Sequence, residues 1–175
     1  MNKHIFVATD GSDTAMRAVD LAAEIAAAFD VPLTIGHVLQ HGKPVDELSR
    51  MAEVEHLVEH VHKKSDIQWD NIPGGMGDLF VGHRPSQDVV RIVTMIGDEI
   101  VSRASDRAKE LGVKTVDTTT GDGDYADEIL DMAERAGADM IVLGNRGLGR
   151  LRRALLGSVS QKVNQNAECT VVTVR

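Results

Sequence analysis

Short apolar runs alternate with amphipathic stretches through most of this chain. His4-Ile5-Phe6-Val7-Ala8-Thr9 is largely apolar and stops at Asp10-Gly11-Ser12. A short apolar run closed by turn residues reads as a buried strand. Ser12 or Asp13 can then cap a helix from about Thr14 to Phe29, whose apolar stripe is Ala15, Ala18, Val19, Ala22, Ile25 and Ala26. Pro32 ends the connection, and Leu33-Thr34-Ile35-Gly36-His37-Val38-Leu39 reads as the second strand. Strand, helix, strand is a βαβ unit, and its crossover is right-handed. The pattern returns later, with a helix over Gln87 to Leu111, a strand at Val113 to Val116 and a helix over Tyr125 to Ala136. A strand at Asp139 to Leu143, a helix over Ser158 to Asn166 and a strand over Cys169 to Val174 follow. Strands alternating with helices predict a single α/β domain with a doubly wound parallel sheet and helices on both faces.

One stretch breaks the alternation, from about residue 40 to residue 86. Pro44 to Lys64 has helical periodicity through Leu48, Met51, Val54, Leu57, Val58 and Val61. Asp70 to Pro85 is rich in Gly and Pro, with Gly74-Gly75-Met76-Gly77 at its centre. It reads as an inserted helix and loop within one domain spanning residues 1–175. His56, His60 and His62 fall on the inserted helix, and His56 and His60 are spaced to share a face. No motif nearby completes a metal site, and a solvated Glu-rich face is the simpler reading.

Composition narrows the classes. Aromatics are only 3% of the 175 residues, so Val, Ile, Leu, Ala and Met build the core. That suits a parallel sheet covered on both sides. The formal charge is −8 with no long basic stretch, which argues against a nucleic-acid partner. The single cysteine, Cys169, rules out an internal disulfide and reads as a small buried hydrophobe. The sequence shows neither a secretory hydrophobic region nor an apolar run long enough to span a bilayer, so a cytoplasmic protein without a membrane partner is expected.

The chemistry concentrates between Gly144 and Ser160. Gly144-Asn145-Arg146-Gly147-Leu148-Gly149-Arg150-Leu151-Arg152-Arg153 begins where an apolar strand ends, and Gly157-Ser158 precedes a helix. Ligands of open α/β sheets bind beyond the carboxyl ends of strands. Glycines allow close backbone approach and positive φ, and a helix start favours an anion. Ser158 and Ser160 add hydroxyls, and Asn145 can donate to a phosphate. Arg146, Arg150, Arg152 and Arg153 add positive charge, with Arg146 best placed inside the glycine pattern and Arg152 and Arg153 equally readable as a solvated face. Asp10 ends the first strand. If the first and fourth strands are neighbours, it faces the glycine loop, where a carboxylate suits a ribose hydroxyl or a metal carried by a nucleotide.

Gly144-x2-Gly147-x9-Gly157-Ser158 resembles the ATP-binding signature of the universal stress protein family. The start, Ile5 to Ser12, is similar to that family's first strand and turn, and Ala138 to Arg175 to its last strand-loop-helix-strand unit. The resemblance covers the chain apart from the insertion. It implies five strands in the order 3-2-1-4-5 and ATP, or ADP or AMP, at the carboxyl edge with Mg2+ accompanying the nucleotide. It further implies Ala8, Thr9 and Asp10 at the base and ribose, the Val38 backbone at adenine, and Gly144, Gly147, Gly157 and Ser158 around ribose and phosphates. Leu143, Asn145, Arg146, Val159 and Ser160 fall in the same site. A homodimer through the strand Cys169 to Val174 is implied as well, and an edge strand does need a partner or a cover.

With these features, the resemblance implies an ATP-binding stress-response and signalling module that acts through an unidentified protein partner and hydrolyses ATP slowly at most. The sequence has no Walker segment or kinase motif set, and no catalytic constellation stands out. Two alternatives stand beside it. One is an ATP-cleaving, ligase-like enzyme of the same broad fold. Such enzymes carry a Ser-Gly-Gly-x-Asp-Ser turn or a His-Ile-Gly-His tetrapeptide, whereas the turn here is Asp10-Gly11-Ser12-Asp13. The other is an interaction protein without nucleotide, against which the intact glycine pattern speaks.

Overall fold

Alternate residues of β1 (Ile5–Ala8) serve two separate cores. Ile5 and Val7 point to one side of the sheet, and Phe6 and Ala8 to the other. This follows from the two-residue period of a strand, and it requires cover on both faces. The computed structural model of the chain describes residues 3–39, 87–147 and 157–175. The inserted helix and its Gly/Pro loop, with His56, His60 and His62, lie outside these residues, as do Arg150, Arg152 and Arg153.

Helix α1 (Asp13–Phe29) follows β1 and leads to β2 (Leu33–Leu39). Next come α2 (Gln87–Glu110), β3 (Val116–Asp122), α3 (Tyr125–Arg135), β4 (Met140–Gly144), α4 (Ser158–Asn166) and β5 (Thr170–Val174). The strands form one parallel sheet in the order β3-β2-β1-β4-β5. Ile5, Val7, Leu33, Ile35 and Val142 pack under α1 and α2, chiefly against Ala18, Ala22, Ala26, Ala104 and Ala108. The alanines bring helix backbones close to the sheet. Phe6, Ala8, Val38, Ile141 and Leu143 meet Ala126, Ile129, Met132, Ala133 and Val163 of α3 and α4 on the opposite face.

Element ends are set by local chemistry. Ser12 is the N-cap of α1, its hydroxyl accepting from the Ala15 N–H at 3.3 Å. Asp124 caps α3 by accepting from the Ala126 and Asp127 amides at 3.1 and 3.3 Å. Gly36 leaves room for the Phe6 ring, which a methyl group there would overlap.

The third strand differs from the sequence reading. The apolar residues Val113 to Val116 suggested it, but the strand is Val116–Asp122, and buried Val113 belongs to the preceding turn. Among the described residues β3 is an edge strand that pairs only with β2, from Leu33–Val116 to Leu39–Asp122. Asp117, Thr118, Thr120 and Asp122 are exposed, so backbone pairing rather than burial defines it.

Candidate functional site

The sheet changes winding direction between β1 and β4. After β1 the chain runs through α1 to β2, and after β4 it runs through α4 to β5, on the other side. The two strands are direct neighbours, with Ala8 opposite Leu143. Their carboxyl ends lead into different helices, and an open α/β sheet takes its ligand at such a point. Thr9, Asp10 and Gly11 leave β1 on one side of it, and Gly144, Asn145, Arg146 and Gly147 leave β4 on the other.

The turn after β1 is held by short hydrogen bonds. Asp10 Oδ1 accepts from the Ser12 N–H at 3.1 Å, and Thr9 Oγ1 accepts from the Gly11 N–H at 3.2 Å. Gly11 has φ 80°, a conformation that favours glycine. The other oxygen of Asp10, Oδ2, lies against Gly147. A Cβ at Gly147 would overlap that oxygen and stand 3.2 Å from Asp10 Cγ. The carboxylate and the glycine loop are thus brought together, as the neighbouring of the two strands required.

Asn145 organises the other side. Its N–H donates to Val174 O at 2.6 Å, anchoring the loop to the end of β5. Its carbonyl accepts from the Gly157 N–H at 2.7 Å and from the Ser160 hydroxyl at 3.0 Å. These contacts join the two ends of the glycine-rich segment. Ser160 is 2% exposed, and its hydroxyl also lies 2.9 Å from Gly157 O. That hydroxyl proton serves backbone carbonyls of the loop. Ser158 is exposed at the first position of α4, whose N-cap, Gly157, has no side chain to offer its amides.

The signature glycines answer to space, not to backbone handedness. The sequence reading allowed them positive φ, yet none of Gly144, Gly147 and Gly157 has it. A Cβ at Gly144 would stand 3.2 Å from Ala15 N and from the Thr14 carbonyl carbon, so this glycine lets β4 end against the first turn of α1. A Cβ at Gly157 would stand 3.1 Å from Asn145 O. Gly147 makes room for Asp10.

The apolar residues assigned to the site share one side of the sheet. Ala8, Val38 and Leu143 are buried in the α3–α4 core, and Val159 packs against them. They lie at the carboxyl ends of β1, β2 and β4 and at the start of α4. Thr9 is buried and Arg146 exposed. One feature escaped the sequence reading: His37, 2% exposed, has Nδ1 2.7 Å from Thr9 O. A polar residue inside an otherwise apolar strand run was the signal.

Cys169 lies away from this site and is half-buried rather than enclosed. Burial first, and the nearby Asp139 charge second, push its thiol up from 9.0, which keeps it protonated and weakly reactive at neutral pH. Among the described residues no group of three or more His, Cys, Asp or Glu side chains gathers as a metal site, and no helix is long and apolar enough to cross a membrane.

Comparison with known proteins agrees with this fold. The universal stress protein family profile matches residues 1–175. A universal stress protein of Bacillus subtilis, YxiE, is 31% identical over 175 residues, covering 100% of both chains. The chain also resembles the crystal structure of a universal stress protein in complex with cAMP, with a TM-score of 0.61, 24% identity, and 99% and 97% of the two chains covered. The universal stress protein of Archaeoglobus fulgidus in complex with dAMP gives a TM-score of 0.59 and 23% identity over 99% and 98%. Sheet order and full-length similarity converge on one conclusion: this chain belongs to the universal stress protein family.

Proposed function

We propose that this chain is an adenine-nucleotide-binding regulator whose ligand sits at the carboxyl ends of β1, β2 and β4. ATP is the nucleotide assigned first, with ADP or AMP able to occupy the same seat. The Val38 backbone and the apolar residues Ala8, Leu143 and Val159 take the base. Thr9 and Asp10 take the ribose. Gly144, Asn145, Arg146, Gly147, Gly157 and Ser158 surround the phosphates, and buried Ser160 holds their loop in place. Close packing supports this assignment, because Gly147 against the Asp10 carboxylate and Gly157 against Asn145 O let the two loops come together where a Cβ would crowd them. Asp10, a hard oxygen donor at the rim, suits Mg2+ brought in by the polyphosphate. Bound Mg2+ would supply charge neutralisation there.

The observation that carries the reading is the contact of the Asp10 carboxylate with Gly147 at the point where the sheet changes direction. That two structural relatives hold cAMP and dAMP supports an adenine nucleotide as the ligand class. The function is binding, with slow hydrolysis at most, and the loaded state is passed to a protein partner in the cytoplasm. The active unit is a homodimer through β5, an edge strand whose valines are only half-buried. Mass spectrometry of small molecules released on denaturing the purified protein tests the ligand class. An adenine nucleotide in near-stoichiometric amount, or micromolar binding of fluorescent ATP by the emptied protein, is expected. Neither in a folded preparation would overturn the proposal. Sedimentation at several concentrations tests the dimer.

A further inference from the structure

Buried histidines carry a cost unless both their shape and their polar atoms are used. His37 lies in β2, every residue of which is buried, and its imidazole faces α2. Gly97 of α2 makes space for it, since a Cβ there would stand 3.1 Å from His37 Cδ2. From this slot Nδ1 reaches Thr9 O at 2.7 Å. A carbonyl only accepts, so Nδ1 carries the hydrogen.

Thr9 is the point where the chain leaves the sheet. The pairing of β1 with β2 ends at Ala8 and Gly36, and one further backbone bond runs from Thr9 N to Gly36 O at 2.9 Å. The next peptide group, between Thr9 and Asp10, sets where the Asp10 carboxylate points. Its carbonyl is the one that His37 holds, while Thr9 Oγ1 and Asp10 Oδ1 hold the amides of Gly11 and Ser12.

We infer that His37 is a positioning residue for the nucleotide site: as an Nδ1–H donor to Thr9 O it fixes the turn that presents Asp10. It touches no ligand and acts through the backbone of β1. This inference rests on the proposed nucleotide site, and its test has arms that do not.

In the wild-type protein without nucleotide, nitrogen NMR of the His37 ring reads the tautomer directly. A proton on Nδ1, coupled across the hydrogen bond to the Thr9 carbonyl, is expected, and a proton on Nε2 alone would overturn the inference. His37→Leu fills the slot without a donor. His37→Asn keeps a donor near the place of Nδ1. In the Leu variant the amides of Gly11 and Ser12 exchange about tenfold faster, and ATP binds about tenfold more weakly, the scale set by one lost hydrogen bond. The Asn variant stays within about threefold of wild type in both readings. Equal losses in the two variants, or a folded Leu variant with unchanged Gly11 and Ser12 exchange, would contradict the inference. Wild-type protein that binds no adenine nucleotide would instead sink the proposed site, while the tautomer and exchange readings still judge His37.

Discussion

The Asp10 carboxylate rests against the α-carbon of Gly147, two residues that the chain keeps far apart and the sheet order brings together. The contact leaves no room for a side chain. Gly147→Ala therefore forces Asp10 aside without touching a buried strand. The expected result is an ATP affinity lower by about tenfold with an unchanged melting temperature. Isothermal titration beside a thermal melt reads both. Full affinity in the Ala variant would mean that Asp10 does not serve the ligand.

Ser160 offers a second test, because one buried hydroxyl serves both ends of the loop. Ser160→Ala removes the donor and leaves Asn145 O with the Gly157 amide alone among the contacts described above. A stability loss of about 1 kcal/mol is expected from urea unfolding. ATP affinity falls with it, because the two ends of the loop are held less firmly. A variant as stable as wild type would show that the hydroxyl contributes nothing to the junction.

Gly36 probes the core instead of the site. A methyl group there overlaps the ring of Phe6, which is fully buried. Gly36→Ala should cost about 1–3 kcal/mol by overpacking. Combining it with Phe6→Leu makes the space and recovers part of the loss, which a double-mutant cycle measures. Additive losses would contradict the packing described.

A pH dependence follows from the cap of α3. Lys162 Nζ lies 3.1 Å from Asp124 Oδ1 and 2.8 Å from Asp127 Oδ1. The Lys162 hydrogen bond, helped by the Asp127 amide, holds the Asp124 carboxyl below its ordinary 3.8. A carboxylate held low gives stability that is whole above the unfolded value, and is lost as pH falls through the folded one. Asp124→Asn keeps a capping oxygen and removes the charge. Its deficit against wild type is expected at neutral pH and closes as pH falls through the folded carboxyl's lowered value. Because the pair is exposed, the deficit is small, and urea midpoints across pH resolve it. A deficit unchanged by acid would contradict this origin.

How much of this was legible beforehand depends on what each residue signals. The buried strands announced themselves as apolar runs, and β1, β2, β4 and β5 lie within a residue of their expected ends. The sheet order came from a family resemblance, since alternation alone leaves several orders open. β3 was misplaced because an edge strand with Asp and Thr on its exposed positions carries no hydrophobic pattern, although Thr118, Thr119 and Thr120 are β-branched. The glycines were located correctly, but spacing could not reveal that Gly144 is demanded by the first turn of α1 and Gly147 by Asp10. His37 passed as a strand residue, because its partner, the Thr9 carbonyl, is visible only once β1 and β2 are side by side.

The central claim is that backbone amides after β4 and at the start of α4 seat a polyphosphate. Equilibrium titration of fluorescent ATP against wild type and Gly157→Val tests it most directly. A Cβ at residue 157 already stands 3.1 Å from Asn145 O, so the valine branches press on the junction that aims those amides. The account predicts saturable binding by wild type and an affinity at least about a hundredfold weaker in the variant, which still folds. Tight binding by a well-folded Gly157→Val protein would place the nucleotide elsewhere.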